Sequence, residues 1–143
     1  MPRYVVTVPS SKSAPEAFAY MSDMRLYPEW DRGISKVDLV AGSAPGLGAA
    51  YAVTVKGIGG RDTVFRYDTT EWSDGTSLLL VGKGGPFKSV DRITVAPTAT
   101  GCDVTYDATL TFNGLLAPFN LALGLVFNKV GDRAARGLRR VLA

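Results

Sequence analysis

Residues 102–112 read CDVTYDATLTF, and the character of the side chains alternates along the run. Val104, Tyr106, Ala108, Leu110 and Phe112 fall on one parity, while Thr105, Asp107, Thr109 and Thr111 fall on the other. Successive side chains of a strand point to opposite faces, so this segment predicts a strand with one buried and one wet face. A helix would need apolar residues at three- and four-residue spacing.

That spacing appears in the next part of the chain. A helix is predicted from near Pro118 to about Leu142. Its first half, Phe119 to Phe127, is apolar almost all round. Its second half carries Lys129, Arg133, Arg136 and Arg140 on one stripe and Val126, Val130, Ala134, Leu138 and Val141 near the other. Such a helix lies across a sheet, most deeply at its start. The basic stripe is either a solvated outer face or a contact for anionic headgroups.

Upstream, strand-like runs alternate with Gly, Pro and Asp turns. Strands are predicted near Ile34–Val40, Gly48–Lys56, Arg61–Trp72, Ser77–Lys83 and Phe87–Val95, ahead of Cys102–Phe112. The turns between them are too short for the dozen or more residues of a parallel crossover, so neighbouring strands run antiparallel. The N-terminal part adds a first strand at Tyr4–Val8, ended by Pro9 and a serine-rich turn. Ser13, Pro15 and Glu16 form a capping-box start for a short helix at about Pro15–Ser22. Asp23 can cap a second short helix over Arg25–Trp30, which the stretch from Tyr27 to Asp31 breaks.

Composition bounds what this arrangement can do. The 143 residues suit one domain over 1–143, with about 68–70% of the unfolded chain's surface buried on folding. A net charge of +3 without aromatic and basic interleaving argues against nucleic-acid binding. The single Cys102 excludes an internal disulfide and a Cys-based zinc cluster, and fits a reducing cytoplasm. Histidine is absent altogether, which removes the commonest general base and most zinc sites. No metal and no cofactor is expected. The opening residues show no secretory pattern, and the longest apolar run, Leu115 to Phe127, is too short to cross a bilayer. A cytoplasmic protein with at most transient membrane contact, monomeric or homodimeric, is the expectation.

The order strand, two short helices, six strands and long helix is a helix-grip arrangement, and local sequence adds to it. Val8-Pro9 with Ala14 to Phe18, Ser22-Asp23 through Tyr27 to Asp31, Val90 to Val95, Gly101 with Val104 to Asp107, and Gly114-Leu115-Leu116 carry a resemblance over essentially the whole chain. It resembles the polyketide cyclase/dehydrase and lipid-transport branch of the START-like (SRPBCC) superfamily, which shares its fold with the birch-pollen allergen group. The resemblance implies an α+β helix-grip fold, with a curved antiparallel sheet of six or seven strands around a long C-terminal helix. It also implies a cavity between the two for lipids, polyketides, sterols or aromatic products. Some relatives catalyse cyclisation or dehydration there, but no catalytic set transfers residue by residue.

Within such a cavity the inward parity would place Tyr51, Tyr67 and Tyr106 beside Phe65, Ile93 and Leu110, with Phe119 and Leu123 from the helix. The tyrosines could orient a ligand through their hydroxyls or simply be core residues bonded to backbone or water. Asp91 shares a parity with Ser89, Ile93 and Val95. It is the best candidate for an acid/base or ligand-anchoring group unless Arg66, Arg92 or Lys83 pairs with it, the alternative being an ion pair at the sheet edge or a bond to a helix end. Trp30 either lines the pocket or seals the short helices onto the sheet. The Gly57-to-Gly60 and Gly82-to-Gly85 turns could gate entry, and neither has a phosphate-binding setting. The leading reading is a carrier or sensor of a small hydrophobic molecule. A cyclase/dehydratase-type enzyme and a regulatory protein-interaction module are the alternatives.

Overall fold

The computed structural model describes residues 3–43, 45–58, 61–112 and 120–143, the side chains of 57, 58 and 120–126 excepted. Strand β1 (Arg3–Ser10) leads through helix α1 (Ala14–Met21) and a 3-10 helix (Met24–Glu29) into β2 (Ile34–Ala41). Then come β3 (Ala50–Ile58), β4 (Arg61–Ser73), β5 (Ser77–Gly84), β6 (Phe87–Pro97), β7 (Cys102–Phe112) and helix α2 (Asn120–Leu142). The seven strands make one antiparallel sheet in the order β1-β7-β6-β5-β4-β3-β2. Short turns dictate the β2-to-β7 meander, whereas β1 joins from afar, with Arg3 opposite Thr109 and Ser10 opposite Cys102.

The caps read from sequence form as hydrogen bonds. Ser13 Oγ accepts from the Glu16 backbone N–H at 3.3 Å and donates to Glu16 Oε1 at 2.9 Å, which starts α1 at Ala14. Asp23 Oδ1 accepts from the Arg25 backbone N–H at 3.0 Å. The element that follows is a six-residue 3-10 helix with Pro28 inside it. The Tyr27 hydroxyl donates to the Met21 carbonyl at 2.7 Å and ties this turn back to α1.

Strict alternation bends where extra residues enter the strands. Register shifts interrupt the β2/β3, β3/β4 and β4/β5 ladders, and bulges of this kind increase twist and curvature. The shift between Thr69 and Glu71 reverses parity: Phe65, Tyr67 and Thr69 face inward, and beyond it Trp72 turns in to meet Phe18 edge-on at 5.0 Å. Val8, Phe18, Met21, Val53, Leu80, Ile93 and Val104 form the core between sheet and helices, each such side chain contributing about 1.5–3 kcal/mol by burial.

Helix α2 buries Ala135, Leu138 and Leu142 and exposes Arg136, Arg139 and Arg140. The last carbonyl, of Leu142, accepts hydrogen bonds from Ser10 Oγ at 2.7 Å and from the Ser11 backbone N–H at 3.3 Å, fixing the helix end against β1. Gly137 allows the backbone of α2 to approach the 3-10 segment, since a Cβ there would overlap the Trp30 carbonyl. The expected helix start at Pro118, Phe119 and the deep burial of the first turns lie outside the described residues, as does the side chain of Leu123. No described helix is long and apolar enough to cross a membrane.

Candidate functional site

A cavity of about 470 Å³ lies between the inner face of the sheet, the 3-10 segment and α2. Its walls are mostly apolar: Val6, Val53, Phe65, Phe87, Leu110 and Leu138 contribute, as do Phe127 and Ala134 from α2. Polar groups enter at two places. Ser89, Asp91 and Tyr106 stand on β6 and β7, with Tyr67 on β4. Asp31, Lys56 and Arg133 form a second group, in which Lys56 and Arg133 are exposed.

The first group follows from sheet geometry. Asp91 faces Ala108 across the β6/β7 ladder, and Ile93 faces Tyr106. Tyr106 therefore sits diagonally from Asp91 on the same face, within reach of a long aromatic side chain. Its hydroxyl donates to Asp91 Oδ2 at 2.6 Å, while Ser89, two residues before Asp91, donates to Oδ1 at 2.6 Å. The small side chain of Ala108 leaves room opposite the carboxylate.

Asp91 is 5% exposed, and no lysine or arginine among the described residues pairs with it. Burial pushes its carboxyl up to about 6. The Ser89 and Tyr106 hydrogen bonds oppose that rise, and Asp31 and Asp107 add to it. Desolvation, and then the Asp91 charge, hold the Tyr67 and Tyr106 hydroxyls well above their ordinary value, so both remain protonated donors at neutral pH. Desolvation also raises Asp31, against a 2.9 Å hydrogen bond from the Gly33 backbone N–H and the nearby Arg133. This arrangement can receive a donor group or exchange a proton near neutrality. Among the described residues no cluster with the makings of a metal site forms.

Of the residues singled out in the sequence, Trp30, Phe65, Tyr67, Asp91, Tyr106 and Leu110 all line the cavity. Tyr51 and Ile93 point inward but are not on its wall. Tyr51 is fully buried opposite Leu39 and Tyr67, its hydroxyl near the Met24 backbone. Ile93 is buried between Leu78 and Tyr106 on the neighbouring strands. Parity gives a side chain's face, whereas its position along the strand decides whether packing or open space meets it.

The edge ion pair considered for Asp91 does not form. Arg66 lies beside Asp68 at 3.4 Å and Arg92 beside Glu71 at 3.0 Å, on the outer face. Sequence reasoning missed Ser89 as a site residue, although its parity with Asp91 is a usable signal. It also placed Arg133 on the outer stripe, and a long side chain at a helix border gives no such signal.

Gly82 and Gly84 are corrected from a gating turn to inner-face positions of β5, beneath the rings of β4. A Cβ at Gly82 would come within 2.5 Å of Tyr67 Cε1. Gly82→Ala is therefore expected to cost about 1–3 kcal/mol by overpacking and to drive the Tyr67 ring into the cavity. Chemical denaturation, together with loss of affinity for a cavity probe, measures both effects. Of the other glycine turn, Gly59 and Gly60 lie outside the described residues.

A curved antiparallel sheet around a C-terminal helix with an internal cavity defines the START-like helix-grip class. A family profile described as polyketide cyclase / dehydrase and lipid transport matches residues 1–143, and the chain belongs to that family. Among solved structures it is similar to a START superfamily protein from Mycobacterium smegmatis, at 18% identity and TM-score 0.77, over 98% of this chain and 94% of that one. It is also similar to a protein of Thermus thermophilus, at 12% identity and TM-score 0.75 over 97% and 94% of the two chains. A third is ginseng major latex-like protein 151 from Panax ginseng, at 13% identity and TM-score 0.66 over 99% and 97%. At these identities the likenesses establish the fold alone. No curated protein matches the chain in sequence.

Proposed function

We propose that the protein binds a small hydrophobic molecule, a lipid, polyketide or aromatic metabolite, as a carrier or sensor. The observation that carries this reading is the cavity of about 470 Å³ with apolar walls and two small groups of polar side chains. Ligand pockets are typically about 300–1,000 Å³ with a few placed polar groups that fix orientation. Incubation with a mixed lipid and aromatic extract followed by native mass spectrometry is expected to reveal a one-to-one adduct. The same ligand is expected to displace a fluorescent fatty acid. Empty protein in both assays rejects the proposal.

A second reading is favoured by the Asp91 carboxyl alone. A buried acid that titrates near 6 suits proton shuttling in a cyclisation or dehydration, with the Tyr67 hydroxyl donating to a developing enolate while the Tyr106 hydroxyl holds Asp91. Arg66, on the outer face, takes no part in it. Under this reading Asp91→Asn abolishes turnover and spares ligand binding. Loss of both together assigns Asp91 to binding or structure.

A further inference from the structure

We infer that the cavity selects an apolar molecule carrying a hydrogen-bond donor, a hydroxyl or ammonium group, which docks on the free lone pairs of the Asp91 carboxylate. This rests on the ligand-binding reading above and names the chemistry of the ligand's polar end.

The geometry leaves the carboxylate half satisfied. Two carboxylate oxygens offer about four lone-pair sites. Ser89 fills one on Oδ1 and Tyr106 one on Oδ2, each at 2.6 Å, and no third side-chain donor reaches the group among the described residues. No cation among those residues balances it, although the group lines the cavity and is 5% exposed. Its charged and titratable surroundings are the hydroxyls of Tyr27, Tyr67 and Tyr106 and the carboxylates of Asp31 and Asp107. Of the cations that line the cavity, Lys56 and Arg133 are exposed and form no ion pair among the described residues. The field at Asp91 is therefore negative.

A ligand with a carboxylate at this end meets repulsion, and a purely apolar end leaves a dry acceptor unfilled. A donor does neither. Hydrogen bonds to a charged group are about twice as strong as neutral ones, and gaining one is worth about tenfold or more in affinity.

Four probes on one ring system test this at pH 7.5 by displacement of a bound dye: 2-naphthol, 2-naphthylmethylamine, 2-methoxynaphthalene and 2-naphthoate. The naphthol and the amine are expected to bind about tenfold or more tightly than the ether and the naphthoate. In Asp91→Asn that preference is expected to collapse to a few-fold, while the ether retains its affinity. Tyr106→Phe leaves the carboxyl in place and frees a lone pair, so the donor preference is expected to persist there. It serves as the reference if the Asn variant folds poorly. Equal binding of ether and naphthol, or a donor preference that survives in Asp91→Asn, overturns the inference while leaving the cavity reading intact. Failure of all four probes rejects the cavity reading and the inference with it.

Discussion

Asp91→Asn is expected to stabilise the empty protein at pH 7.5 by about 1–3 kcal/mol and to leave its stability near pH 3.5 almost unchanged. The sign follows from the direction of the shift. Burial raises the folded-state carboxyl from 3.8 to about 6, so between those values the folded chain keeps a proton that the unfolded chain has lost. Stability then falls as pH rises through this window, a loss of about 3 kcal/mol that is complete above the folded value and absent below the unfolded one. Asparagine removes the charge and still offers groups that can bond Ser89 and Tyr106. The lower end of the range allows for one weakened hydroxyl contact. Asp23 and Asp107, which arginine partners hold low, and Asp31, which burial holds high, also make stability depend on pH. They are common to both proteins, so the difference curve reports Asp91 together with its coupling to Asp31 and Asp107. Urea unfolding of the two proteins at pH 3.5, 5, 6 and 7.5 gives that curve. A variant less stable than the parent at pH 7.5 would mean that the two short hydrogen bonds outweigh desolvation.

The same carboxylate shows where sequence is informative and where it stops. Period-two alternation over Val104 to Phe112 and the Ser13 and Asp23 caps are decisive because each is a local rule with a local cause. Inward parity brings Asp91, Tyr67, Tyr106, Phe65 and Leu110 to one cavity. Parity fails at Trp72, because the extra residue between Thr69 and Glu71 leaves no mark in composition. It cannot separate Tyr51 and Ile93 from true wall residues, since the packing that covers them comes from elements distant in sequence. Glycines at 82 and 84 resemble a turn, for a residue without a side chain does not record that another strand's ring fills its place. Arg133 and Lys56 join the cavity through the crossing of α2 over the sheet, a tertiary fact with no local trace.

Trp30→Ala is expected to cost about 3–5 kcal/mol, a large part of the roughly 5–15 kcal/mol that holds a domain folded. Sequence leaves two roles for this residue, pocket lining or sealing, and the structure gives it both. Its ring stands 4.8 Å from that of Tyr27 and 5.7 Å from that of Tyr106, tilted and edge-on respectively, and the residue is 4% exposed. Its carbonyl lies against Gly137, where α2 passes closest to the 3-10 segment. Among the described residues its indole Nε1 has no hydrogen-bond partner, so the loss on truncation is packing rather than a broken bond. Replacement by Phe separates the contributions. It keeps most of the ring contacts and discards an unsatisfied donor, and is expected to cost less than about 1.5 kcal/mol. The space left by Ala opens into the existing cavity, where neighbouring side chains cannot collapse without losing the site, which places its cost high in the range for truncated aromatics. Removing the ring also takes away the lateral support of Tyr106, and with it the donor that holds Asp91 Oδ2. Urea midpoints and dye affinity measured on both variants distinguish the roles. A residue that only lined the cavity would lose affinity with little stability, whereas the packing seen here predicts loss of both in Ala and near-parental values in Phe.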